Sequence, residues 1–151
     1  MLPLQTQMSL AQRMQEPFYL YRPLPNDQSA FLRDAMPMHH GIYTLMGGNR
    51  TGKTKTCCWL FAYWALFALA RVRELTGESP VMWQISKTYE DGGEIIWKQT
   101  LSPLIHARNI EAISWHNKTK EWPAFLRLTN GVEILFQAWE QWPAEKKAEA
   151  I

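Results

Sequence analysis

Eight residues in the first half of the chain, Gly47-Gly-Asn-Arg-Thr-Gly-Lys-Thr54, leave the surrounding backbone few options. The glycines permit a tight curl in which successive N–H groups face inward, toward an anion. An apolar run bounded by glycine, Gly41-Ile-Tyr-Thr-Leu-Met46, comes just before, and a long apolar stretch of helical length follows. Strand, glycine-rich loop and helix in that order aim the positive end of the helix at whatever the loop holds. The spacing G-x-x-x-x-G-K-[ST] is that of a phosphate-binding P-loop, and each position has a job. Lys53 places an ammonium on the β- and γ-phosphates of a nucleotide, and Thr54 offers a hydroxyl to Mg²⁺. Four fixed positions recur by chance in roughly one in a few hundred chains of this length. The flanking strand and helix patterns remove most such accidents.

The nucleotide-binding candidates are therefore Gly47, Gly48, Asn49, Arg50, Thr51, Gly52, Lys53 and Thr54, with ATP and Mg²⁺ as the expected ligands. Lys53 and Arg50 are the candidates for a catalytic part. An arginine inside such a loop can stabilise charge on the γ-phosphate, or it can pair with a surface carboxylate; the residues alone leave both readings open.

Around the loop the elements can be read from period and punctuation. Residues 1 to about 35 form an irregular N-terminal arm broken by Pro17, Pro23 and Pro25, with a short helix over Asp27 to Ala35 capped by Asn26 or Asp27. Gly41 to Met46 reads as a buried strand and Lys53 to about Leu75 as a helix, ended by Thr76-Gly-Glu-Ser-Pro80. Further strands are expected at Val81–Ile85, Ile110–Trp115, Phe125–Leu128 and Val132–Phe136, and helices at Asp91–Gln99 and Pro103–Arg108. Asn130-Gly131 marks a hairpin between the last two strands. Charged residues from Ala144 onward start one more helix. The fold class that follows is α/β: a P-loop NTPase-like parallel sheet with a flanking antiparallel hairpin, residues 36–151 forming a partial ATPase domain.

Composition narrows the partners. The 151 residues are 46% hydrophobic and 20% charged, which suits one folded domain, and a net charge of +2 gives no electrostatic footprint for nucleic acid. Eight tryptophans point to an indole-rich core or partner surface, with base stacking as the other option. Cys57 and Cys58 are adjacent and make no disulfide framework, so they read as small apolar residues in a reducing cytoplasm. The four histidines lack metal-ligand spacing. The greasy stretch Cys57 to Ala70 falls short of the roughly 20 residues that cross a bilayer, so no membrane partner is expected.

The spelling Gly47-Gly-Asn-Arg-Thr-Gly-Lys-Thr54 after an apolar strand resembles the Walker A segment of the large terminase subunits of tailed bacteriophages. Pro25-Asn-Asp-Gln-Ser-Ala-Phe31 is similar to the glutamine-plus-aromatic element upstream of that segment, and Leu128-Thr-Asn-Gly-Val-Glu-Ile-Leu-Phe136 to a hairpin downstream of it. The resemblance spans roughly residues 20 to 140, and its specific part is the P-loop. It implies an ATP-driven motor packaging double-stranded DNA into a capsid in the host cytoplasm, working with a portal, a small terminase subunit and ring-forming copies of itself. It also implies that Gln28 contacts the adenine and Arg50 the γ-phosphate. Such a motor needs an apolar strand ending in Asp-Glu, and later a nuclease domain. Neither pattern occurs between Met1 and Ile151: Asp91 follows a polar stretch and Glu140 follows Phe136-Gln-Ala-Trp139. The chain is therefore expected to bind nucleotide weakly and turn it over poorly by itself. Helicase-type or partition-type ATPases and a non-catalytic nucleotide-binding fragment are the alternatives.

Overall fold

The computed structural model describes residues 14–25, 27–38, 41–46 and 52–141. The short helix α1, Pro17–Leu20, and helix α2, Asp27–Ala35, precede helix α3, Lys53–Tyr63. Helix α3 continues through a π-helical segment, Trp64–Ala68, into α4, Leu69–Thr76. Strand β1, Val81–Ser86, leads to helix α5, Asp91–Leu101, and the short α6, Ser102–Ile105. Three strands follow: β2, Ile110–Trp115; β3, Pro123–Leu128; and β4, Glu133–Ala138. Their order in the sheet is β1-β4-β3-β2. The architecture is mixed α/β.

The apolar composition of α3 decides how the chain collapses. Buried positions Thr56, Cys58, Leu60 and Ala62 face the interior, while Trp59 and Tyr63 on the same helix carry an aromatic stack. Phe18 of α1 lies against Trp59 with ring centroids 5.1 Å apart, and Trp59 against Tyr63 at 5.7 Å, both nearly parallel. The Trp59 indole N–H donates to the Phe18 carbonyl at 2.9 Å, so the partly buried indole keeps its polar end satisfied. Arg108 binds both carboxylate oxygens of Glu16 in a largely buried ion pair, tying the arm to the chain beyond α6. The N-terminal arm expected from the prolines is therefore packed where it is described. Among the described tryptophans Trp97 is buried and Trp59, Trp64 and Trp115 pack against the core, whereas Trp83 on β1 is about half exposed.

The sheet departs from expectation in two ways. Only β1 and β4 pair in parallel; β3 is antiparallel to β4, and β2 to β3, so three of the four strands form an antiparallel meander. The loops explain this. Seven residues from His116 to Trp122 and four from Thr129 to Val132 are too short for the crossover a parallel pair requires, whereas α5, α6, β2 and β3 all intervene between β1 and its parallel partner β4. Secondly, residues 41–46 are not a strand of this sheet. Tyr43 and Leu45 are half-buried and Ile42 and Met46 exposed, and no ladder of the described sheet includes them. A period of two fixes which side chains face inward; it does not supply a neighbour.

The helix of Asp91–Leu101 is wound more widely than the α-helix the sequence predicts, and closes with a bond from Ser102 N–H to the Trp97 carbonyl, five residues back. Gly92 and Gly93 are both buried there; a side chain at Gly93 would meet Trp122 and the Glu121 carbonyl. The region expected as Pro103–Arg108 is divided between α6 and a 3₁₀ turn, Ala107–Asn109. Among the described residues no helix is long and apolar enough to cross a membrane. The charged helix expected from Ala144 lies outside the described residues.

The Asn130-Gly131 turn closes the β3–β4 hairpin as its sequence predicts, and also fastens it to the long helix. Gly131 has φ 86°, with its N–H bonded to Leu128 O at 2.9 Å. The Asn130 amide donates to Ala65 O at 2.9 Å and Leu66 O at 3.3 Å, carbonyls inside the π-helical segment. Arg73 of α4 donates to Asn130 O at 2.6 Å, crossing the space a Cβ on Gly131 would fill. Gly131→Ala therefore strains the turn and displaces Arg73, and should cost about 2–3 kcal/mol. Urea unfolding should show a lower midpoint with an unchanged slope; an unaltered midpoint would mean that the turn is not docked on the helix.

Candidate functional site

The expected site residues centre on the start of α3. Gly52 has φ 78°, a left-handed conformation that glycine adopts without a steric penalty, and its carbonyl receives the first helical bond from Thr56 N–H at 3.0 Å. Lys53 is half-buried and Thr54 exposed. Gly47, Gly48, Asn49, Arg50 and Thr51 lie outside the described residues, as does Asn26. Gln28, on α2, is 24 positions before Gly52 in the chain yet packs against it: a Cβ on Gly52 would come within 3.1 Å of Gln28 Nε2. The structure thus brings Gln28, Gly52, Lys53 and Thr54 to one place.

Gln28 is buried with its amide orientation set by neighbours. Its Oε1 accepts from Leu24 N–H at 2.9 Å and from the Tyr21 hydroxyl at 3.3 Å. The same hydroxyl is 2.7 Å from Thr56 Oγ1, and Thr56, fully buried, reaches Gly52 O at 3.1 Å. Burial pushes the Tyr21 phenol above its ordinary value, opposed in part by the Thr56 hydrogen bond, so its proton stays on at neutral pH. Tyr21 and Thr56 carried no signal in the sequence beyond proximity to the candidates. The partners that give them a role are 35 positions apart in the chain.

Two cavities flank the helix start. On one side an open cleft of about 780 Å³ is lined by Tyr21, Arg22, Gln28, Gly52, Lys55 and Gln99, among others. On the other, a cavity of about 390 Å³ lies between Leu45, Lys53, Thr54 and the β1 residues Trp83, Gln84 and Ile85. Their sizes lie in the range of small-ligand sites. Lys53 and Thr54 are among the residues that line the second cavity, and Gln84 Oε1 is buried without a hydrogen-bond partner among the described atoms. No carboxylate is among its described lining residues. Glu140 instead pairs with Lys87 at 3.6 Å, and Asp91 N–H is held by Thr88 at the start of α5.

No family model, curated protein or solved structure matches the chain. Its own geometry is what bears on function. Among the described residues no group of three or more His, Cys, Asp or Glu side chains could hold a metal ion. Thr54 is exposed and lines the same cavity as Lys53.

The two cysteines one turn into α3 report on this packing. Cys57 is exposed beside the second cavity, while Cys58 is buried and its thiol is pushed up to about 12 by desolvation, with Cys57 adding to the rise. At pH 8 the thiolate fraction of Cys58 is on the order of 10⁻⁴, too small for ready attack on a disulfide reagent. The native protein should release one equivalent of thionitrobenzoate from Ellman's reagent, and the second only in denaturant. Two fast equivalents would contradict the burial of this helix face.

Proposed function

We propose that this chain binds a purine nucleoside triphosphate with Mg²⁺, as the nucleotide-binding part of a DNA-packaging ATPase of the large-terminase kind, built on a P-loop NTPase fold. The observation that carries the reading is the contact of Gln28 with Gly52: the residue expected on the base side and the last glycine of the phosphate motif, far apart in sequence, adjoin at the first turn of α3. The positive end of α3, an 11-residue helix, then faces the phosphates, Lys53 neutralises the β- and γ-groups, and Thr54 supplies an oxygen to Mg²⁺. Thr54 would be the side chain that holds Mg²⁺ here, and the ion would supply positive charge against the phosphates. Arg50 takes the γ-phosphate part that the resemblance gives it. Double-stranded DNA, a portal, a small terminase subunit and a ring of copies are the partners of that reading.

A second reading, nucleotide binding without turnover, is favoured by one observation: no carboxylate lines the described part of the cavity at Lys53 and Thr54. Phosphoryl transfer to water needs a group to orient the attacking oxygen, and an acidic residue commonly holds the metal's shell. Helicase-type and partition-type ATPases share the same cradle and are separated from a packaging motor by DNA and portal binding.

Titration with a fluorescent ATP analogue tests the binding claim. Binding should strengthen with Mg²⁺, and Lys53→Ala should weaken it about 10- to 100-fold, the loss of a charge-assisted contact. Equal binding by the Lys53→Ala protein would contradict the site. Steady-state turnover by this chain should be slow; fast turnover that Lys53→Ala abolishes would overturn the non-catalytic reading.

A further inference from the structure

Gln84 on β1 carries the one buried side-chain polar atom, among the described residues, that no hydrogen bond satisfies: its Oε1. The same residue lines the cavity that Lys53 and Thr54 line. We propose that the Gln84 carbonyl oxygen holds the water that attacks the γ-phosphate, accepting one of its hydrogens and so turning a lone pair toward phosphorus. The inference rests on the nucleotide reading above and adds a catalytic residue to it.

A buried carbonyl without a donor is costly, and the donors beside this one are already used. Met82, Gln84 and Ser86 alternate along β1 with the half-exposed Val81, Trp83 and Ile85, which puts the amide on the side of the strand that holds buried Met82. Ser86 and Gly92 adjoin it there: a Cβ on Gly92 would lie 3.5 Å from Gln84 Oε1 and 2.6 Å from Ser86 Oγ. Ser86 Oγ donates to Thr88 O at 2.7 Å, and Gly92 N–H donates to the same carbonyl at 3.2 Å. The chain therefore has no donor left for Oε1, and one must come from what enters the cavity.

The parts of a nucleotide sort themselves by the same rule. Ionised phosphate oxygens only accept, so the γ-phosphate cannot satisfy Oε1 directly. The base side of the reading lies at Gln28, in the cleft on the other flank of the first turn of α3. Between the γ-phosphate and Gln84 the fitting group is water, whose two hydrogens suit two acceptors. Attack requires a lone pair of that water to face phosphorus, so its hydrogens must turn to acceptors lying elsewhere. Leu45, Phe61, Ile96 and Leu101, also in the lining, offer no side-chain acceptor, whereas Oε1 does.

In the step itself the water oxygen bonds to phosphorus as the bond from phosphorus to the β,γ-bridging oxygen breaks. ADP leaves with that electron pair. The surplus proton passes to a γ-phosphate oxygen, because a neutral amide cannot hold it, and the products are ADP and inorganic phosphate. An amide orients the water without abstracting its proton, which agrees with the slow turnover expected of this chain.

Equilibrium binding on the full chain with Mg²⁺ tests the proposal. The probes are ADP alone, ADP with beryllium fluoride, which copies the bound γ-phosphate, and ADP with aluminium fluoride, which copies the phosphoryl group with the attacking water in line. Wild-type protein should bind the aluminium fluoride form at least about tenfold more tightly than ADP. Gln84→Met, similar in size and without the acceptor, should weaken the aluminium fluoride form about 10-fold and the beryllium fluoride form less than about twofold. Gln84→Glu, which keeps an acceptor but adds charge, should weaken both forms together and keep their ratio. Without nucleotide, Gln84→Met should unfold at a higher urea concentration than wild type, since an unsatisfied buried oxygen is removed; a purely structural amide predicts a lower one. Equal weakening of both fluoride forms by Gln84→Met overturns the proposal, as does a lower urea midpoint or failure of that variant to fold. Wild-type protein that binds the beryllium fluoride form and gains nothing from aluminium fluoride overturns it too. Wild-type protein that binds none of the three probes defeats the nucleotide reading itself, an outcome distinct from selective loss in the variant.

Discussion

Helix α3 has little polar surface to give to water, and the arrangement of the chain follows from covering it. Its buried residues Cys58, Leu60 and Ala62 sit in the two clusters that make up the core, and its partly buried aromatic residues, Trp59 above all, receive the N-terminal arm. Were this helix amphipathic in the usual sense, α1 and α2 would have no reason to fold back on it. Because they do, Tyr21 and Gln28 arrive at its first turn. Apolar burial of this kind is not directional; the directional part comes from the indole bonds of Trp59 to Phe18 and of Trp64 to Met36, which set where the arm lies along the helix.

The second half of the chain is held to the same helix by a polar device. A π-helical segment leaves carbonyls poorly matched to their own helix, and the Asn130 side chain, from a hairpin turn 65 residues away, takes two of them. The turn that fixes the register of β3 and β4 also fixes the position of the sheet on the helix. This join is buried enough to matter and relies on one asparagine and one glycine, so it specifies geometry where packing alone would tolerate sliding.

Much of this was legible in the residues. The helices at Asp27–Ala35 and from Lys53, the strands at Val81, Ile110, Phe125 and Val132, and the Asn-Gly hairpin each carry a local signal strong enough to place them. What was not legible is what depends on neighbours. Gly41 to Met46 has the period of a strand and no partner in the described sheet. The strand directions near the C-terminal end follow from loop lengths rather than from alternation, and the expected parallel sheet is reduced to one parallel pair. At the candidate site, Lys53 and Thr54 were readable from spacing, and Gln28 from the resemblance. The Tyr21–Thr56 contact was not, since no period or motif links positions 35 apart.

The central claim is that the first turn of α3 and the amide of Gln28 belong to one ligand site. Two-dimensional NMR of the ¹⁵N-labelled chain tests it directly, by following the Gly52 backbone amide and the Gln28 side-chain amide during addition of Mg²⁺ and a non-hydrolysable ATP analogue. Both signals should shift along one binding curve, and tripolyphosphate should move Gly52 while leaving Gln28 nearly still. A saturating analogue that shifts neither, or that shifts Gly52 with no response from Gln28, would contradict the account.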